Sequence, residues 1–213
     1  MDGLTVERFN DLLKQASLEE VVDLYILSGP CSAYNRIPNQ YNLLKRSIAN
    51  SLGTSADNVF IVGSAKLGFS FNPDYYPRPF SWRSSDLDVM IIDSRLYNEI
   101  WVQITEWRYD LKNHIPTLDW QWFFPVLKND VSFGWLNPLK FAPKTKTKLG
   151  KERPLKELRV KWNSAFQSLT IDRRIKIPKK GVTGLLYNSW EHARLRQTDR
   201  LERVKKTLDS EVT

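Results

Sequence analysis

Apolar positions recur along this chain at two spacings, and the change from one to the other marks out its elements. Phe9, Leu12 and Leu13 stand three or four residues apart and predict a helix over residues 5–16. Ser17-Leu18-Glu19-Glu20 reads as a capping box: Ser17 accepts from the backbone N–H of Glu20, Glu20 reaches back, and a second helix runs on to Leu27. Tyr41, Leu44, Ile48 and Leu52 form one stripe of a helix over 39–52, with Gly53 just past its end. The period then shortens to two. Residues 59–63 predict a short buried strand, and residues 86–92 a second one in which Leu87, Val89 and Ile91 share a face. Between them, residues 71–83 are rich in proline and aromatic side chains and predict a stiffened loop. Ser94 is the expected cap of a helix over 95–112 that turns Tyr97, Ile100, Trp101 and Ile104 inward.

The second half is less regular. Trp120, Trp122, Phe123 and Phe124 call for burial, and Val131-Ser132-Phe133 can form a strand. Residues 144–153 read as a basic loop, followed by a helix over 154–168 with Trp162, Ala165 and Phe166 near one face. Residues 169–177 alternate like a half-buried strand, with Ile171, Arg173, Ile175 and Ile177 on one side and Asp172, Arg174 and Lys176 on the other. Gly181 to Trp190 reads as a packing segment that opens a terminal helix over 188–208. The sum is an α/β (α+β) fold, a small mixed sheet flanked by helices with a helical C-terminal extension. Residues 1–143 would form the core with its N-terminal helices, and residues 144–213 a basic part supplying one core strand and the terminal helix.

Composition narrows the function classes. With 41% hydrophobic and 26% charged residues the chain can bury a core, which excludes global disorder. The net charge of +8 is uneven: the cations concentrate in residues 144–213, while residues 1–143 are mildly acidic. A basic third suits nucleic acid or nucleotide phosphates, and the cationic run through Arg194, Arg196, Arg200, Arg203, Lys205 and Lys206 suits a nucleic acid backbone or a partner protein. The single cysteine, Cys31, excludes an intramolecular disulfide and a cysteine zinc site, and fits a reducing cytoplasm. No apolar run approaches a membrane span and the N-terminus lacks a signal-peptide pattern, so no membrane partner is expected. His114 and His192 have no metal-ligand spacing, and there is no nucleophile elbow.

The chemistry-bearing residues lie at the two short strands. Asp86 and Asp88, two apart on a strand, leave the same face and can share Mg²⁺ or Mn²⁺, with waters and substrate phosphates completing the shell. Gly63 lets the backbone turn sharply after the first strand. Ser64 and the amides after it make an anion-binding concavity, and Lys66 stands two residues on, within reach of a phosphate. Alone, the acids also read as turn residues entering a strand, and Gly-Ser as a common turn.

Together, Gly63-Ser64-x-x-x-Gly68-x-Ser70 and Ser85-Asp86-Leu87-Asp88-Val89 resemble the signature of the DNA polymerase β-like nucleotidyltransferase superfamily. The motifs cover about a sixth of the chain, and the flanking helices extend the fit to about a third. The resemblance implies transfer of a nucleoside monophosphate from an NTP or dNTP to a hydroxyl acceptor. It gives Gly63 and Ser64 the nucleotide phosphates, and Asp86 and Asp88 two metal ions. It also implies a third carboxylate on a later strand. Asp172 is the expected catalytic and metal-binding acid, with Arg174 and Lys176 beside it on the nucleotide. Asp130 is the next candidate, then Asp119. The bridge between Gly63 and Asp86 is longer than compact members carry. It reads either as a platform for an acceptor (Tyr75, Tyr76, Trp82, with Arg78 and Arg83) or as a cover over the sheet edge. Small stand-alone members often belong to bacterial phage-defence or toxin–antitoxin modules, which implies a nucleotide signal or oligonucleotide as product. The alternatives are a toxin or antitoxin that nucleotidylates a protein or tRNA end, and a non-catalytic nucleic-acid-binding protein.

Overall fold

The computed structural model of the chain describes residues 4–112, 128–141 and 156–211. The aromatic cluster Trp120 to Phe124, the basic loop over 144–153, His114 and Asp119 lie outside the described residues.

The chain is α+β, built on a four-stranded mixed sheet. Helix α1 (Val6–Gln15) is capped by Thr5, whose side chain accepts from the Arg8 N–H. The Ser17–Glu20 capping box opens α2 (Leu18–Val21), which continues as π-helical turns through Val22–Leu27. Helix α3 (Pro38–Leu52) has proline in its first turn and Gly53 at its end. Strand β1 (Val59–Val62) turns at Gly63 into the one-turn helix α4 (Ser64–Leu67). The bridge then returns to β2 (Leu87–Ile92), followed by α5 (Ser94–Lys112), β3 (Trp135–Leu136), α6 (Lys156–Ile171), β4 (Val182–Tyr187) and α7 (Trp190–Glu211).

The strand order is β1-β2-β4-β3. Strands β1 and β2 are antiparallel, with Val62 opposite Asp88. Strands β2 and β4 are parallel, with Asp88 opposite Thr183. Strand β3 runs antiparallel to β4. Alternation then sorts the side chains. Leu87, Val89, Ile91 and Leu186 pack with α3, α5 and α6 in one core. Val62, Met90, Ile92 and Tyr187 pack with α1, α2 and α7 in the other. Each fully buried aliphatic side chain contributes about 1.5–3 kcal/mol.

Several expectations change. Residues 169–177 are not a strand: α6 runs on to Ile171, and Ile171 is exposed while Leu169 is buried. The strand supplied by the C-terminal part is β4, within the stretch expected to open the terminal helix. Gly184 hid it. A Cβ there would stand 2.3 Å from Phe166 Cζ, so close approach of α6 requires glycine inside this strand. Helix α7 is not an extension, because Ala193, Leu201 and Val204 are buried in the second core. Residues 131–133 form a 3-10 turn, and the strand there is β3. The cap of α5 is Asp93, whose carboxylate accepts from the Leu96 N–H at 2.9 Å. Trp101 points to solvent. The bridge over 71–83 folds back on itself: the Ser70 N–H donates to Arg78 O and the Phe80 N–H to Gly68 O, each at 2.8 Å. Tyr76 packs on Phe9 and Phe69, and Trp82 on Tyr34 and Phe80, which makes these two rings cover rather than platform.

Candidate active site

The antiparallel register delivers the Gly-Ser turn to the acid pair. With Val62 opposite Asp88, Gly63 arrives beside the Asp88 carboxylate. Its φ of 69° lies where side-chain-bearing residues are strained, and a Cβ there would stand 2.6 Å from Asp88 Oδ2. Both conditions require glycine. Ser64, half-buried, opens α4 immediately afterwards. Asp86, also half-buried, sits just before β2.

Asp88 carries the electrostatics. Its Oδ1 accepts from Thr183 Oγ1 at 3.0 Å, across the parallel register of β2 and β4. Burial holds its carboxyl above the usual carboxylate range, and the charge of Asp86 pushes the same way. The Thr183 hydrogen bond and the charges of Arg200 and Arg196 oppose the shift without reversing it. Two acids that repel one another beside a sharp backbone turn form an oxygen-donor set suited to a hard divalent cation. Asp86 and Asp88 are the residues that would hold one.

Arg196 and Arg200 come from α7, one turn apart. They line a cleft of about 880 Å³ with Phe133, Trp135 and Arg203. The Arg196 guanidinium stacks 3.3 Å from the Trp135 ring centroid. Its Nε and Nη1 are buried and find no hydrogen-bond partner among the described residues. The sequence placed Arg196 and Arg200 in a cationic run. Their four-residue spacing was the signal that both share a helix face, but nothing local tied that face to Asp88. Thr183 was missed because its strand was missed.

The remaining expected residues go elsewhere. Lys66 is buried and donates to Gly29 O at 2.8 Å, so its ammonium is engaged behind α4 and not at a phosphate. Burial lowers its pKa. Asp172 follows α6, which packs through Trp162 and Phe166 on the Gly184 face of β4; Thr183 and Asp88 face the other way. Arg174 donates to Asp172 through Nε at 2.9 Å and Nη2 at 2.8 Å, which holds that carboxyl down at about 2. The Lys176 ammonium lies 4.4 Å over the Trp82 ring. None of these contacts reaches Asp86, Asp88 or Ser64. Asp130 is buried before the 3-10 turn, and its charge acts on Arg196.

Among the described residues, no three His, Cys, Asp or Glu side chains group as a metal cluster. No described helix is long and apolar enough to cross a membrane. No family model, no curated protein and no solved structure matches the chain.

Proposed function

We propose that the chain is a metal-dependent nucleotidyltransferase that moves a nucleoside monophosphate from an NTP or dNTP to a hydroxyl acceptor. The observation that carries this reading is the meeting of Gly63-Ser64 with Asp86 and Asp88 at one end of β1 and β2, with Gly63 against the Asp88 carboxylate. Ser64 and the first amides of α4 receive the outer phosphates, because Gly63 turns the backbone toward them. Arg196 and Arg200 balance negative charge on the cleft side. The acceptor oxygen bonds to the α-phosphorus, the bridge to the β-phosphate breaks, pyrophosphate leaves, and the hydroxyl proton passes to the acid pair or water. Mg²⁺ or Mn²⁺ on Asp86 and Asp88 would supply charge neutralisation and a lowered acceptor pKa. The chain's own contribution is positioning.

One observation favours a second reading, nucleotide or nucleic-acid binding without transfer. The β4 residue facing Asp88 is Thr183, a hydroxyl, and not the third acid that the resemblance implies on a later strand. A single assay separates the two. The protein is incubated with each α-labelled NTP and dNTP and Mg²⁺ or Mn²⁺, beside an Asp86→Asn/Asp88→Asn variant. Transfer predicts label in a signal nucleotide, oligonucleotide, protein or tRNA, reduced at least about 100-fold in the variant. Nucleotide binding with no turnover supports the second reading, and absence of both overturns transfer and nucleotide binding together, leaving nucleic-acid binding to its own test.

A further inference from the structure

The cleft lined by Arg196 and Arg200 is tied to the acid pair by the charges of these two side chains, which act on Asp88. Its walls are α7, residues 72–74 and residues 129–135. Arg196, Arg200 and Arg203 recur along α7 at i, i+4 and i+7, which keeps them on one side of the helix over about 10 Å of rise. Across from them Phe133 is 64% exposed, an aromatic ring presented to the cleft. Asn72 and Asn129 add neutral hydrogen-bonding groups. The cleft also holds Asp74 and Asp199. Arg203 donates to Asp199 at 2.7 Å, an exposed i,i+4 pair of the weak kind that a phosphate can displace. Arg200 makes no ion pair among the described residues.

Cations in a row opposite an exposed ring are what an unpaired nucleic acid strand requires: phosphates track the charges and a base stacks on the ring. An acidic peptide would use the arginines and leave Phe133 bare, and a duplex offers no free base face. We infer that this cleft binds single-stranded nucleic acid, with phosphates on Arg200 and Arg203 and a base on Phe133. The strand's terminal hydroxyl then points toward Asp88 as the acceptor. That last step rests on the transfer reading; strand binding does not.

The test separates them. Labelled RNA and DNA strands of about 12 nucleotides, within the usual span of such sites, are titrated with the full chain by fluorescence anisotropy, without nucleotide or metal. A duplex and polyglutamate serve as comparators. Single strands are expected to bind tighter than either, and more weakly as salt rises. Phe133→Ala weakens binding about tenfold, and Phe133→Trp restores it. Arg203→Gln reduces the slope of log K against log salt by about one. Thermal melting of the surface variants stays at the wild-type midpoint, which excludes misfolding. Strand affinity no better than that of polyglutamate, or unchanged in both Phe133→Ala and Arg203→Gln, overturns the site. With NTP and metal added, strand binding without strand extension keeps the site and removes the acceptor assignment. Transfer to another acceptor with no strand binding removes the site and leaves the transferase reading intact.

Discussion

The two faces of the sheet are built from alternate residues of the same strands, yet they are different materials. One face presents Leu87, Val89, Ile91 and Leu186 to Leu44, Ile48, Trp162 and Phe166. The other has Met90, Ile92 and Tyr187 at one end and Asp88 with Thr183 at the other, where α7 brings Arg196 and Arg200. Helix α7 also buries the polar side chains of Gln197 and Thr198. The first face is held by dispersion and exclusion of water, which gain from every well-filled contact. The second holds a carboxylate partly out of water beside another, a cost that a bound cation would offset. Both faces bury an apolar core, and the candidate site lies on only one of them.

The sharpest test of this division is Gly184→Ala. The added methyl would meet Phe166 and Trp162, both buried against the sheet. Overpacking of that kind costs about 1–3 kcal/mol, read as a lower urea midpoint. Asp86, Asp88 and Ser64 keep their surroundings, so nucleotide binding by the folded fraction stays unchanged. Loss of binding in proportion beyond the unfolded fraction would show that the faces are not independent.

Asp88→Asn is expected to act in the opposite direction. A carboxyl raised above its unfolded value of about 3.9 takes up a proton on folding in the window between the two values. Stability therefore falls as pH rises through that window, and the deficit persists above it. Asparagine carries no charge, so the variant melts higher than the wild type at neutral pH, and the advantage closes as pH drops below the unfolded value. Added Mg²⁺ raises the wild-type midpoint and not the variant's. A neutral-pH midpoint at or below wild type would mean that Thr183 and the arginines outweigh burial and the charge of Asp86.

The smallest effect belongs to Asp172→Asn. Its carboxyl is held down at about 2 by Arg174, so the pair stabilises above the unfolded carboxylate value and loses that stabilisation as pH falls toward about 2. The pair is at the surface and screened, and at neutral pH the variant should match wild type in midpoint and in transfer. A large loss of transfer alone would return Asp172 to the catalytic site.

Local pattern determined much of this protein. The stripes of α1 and α3, the Ser17–Glu20 capping box and the short runs of β1 and β2 appear where periodicity put them, because each is decided by neighbours within a few residues. The pairing of a Gly-Ser turn with Asp86 and Asp88 was legible for the same reason: each motif is a few consecutive residues. Three things were decided only in the tertiary structure. Strand β4 forms because β2 supplies a parallel edge and α6 needs glycine at 184, neither of which is local information. Residues 169–171 alternate in sequence but continue α6, whose buried Leu169 packs in the core beside Trp162 and Ala165. The cations near Asp88 come from Arg196 and Arg200, about a hundred residues away, while Lys66, two residues from Ser64, turns to Gly29. Spacing along a helix says which side chains share a face; only packing says what that face meets.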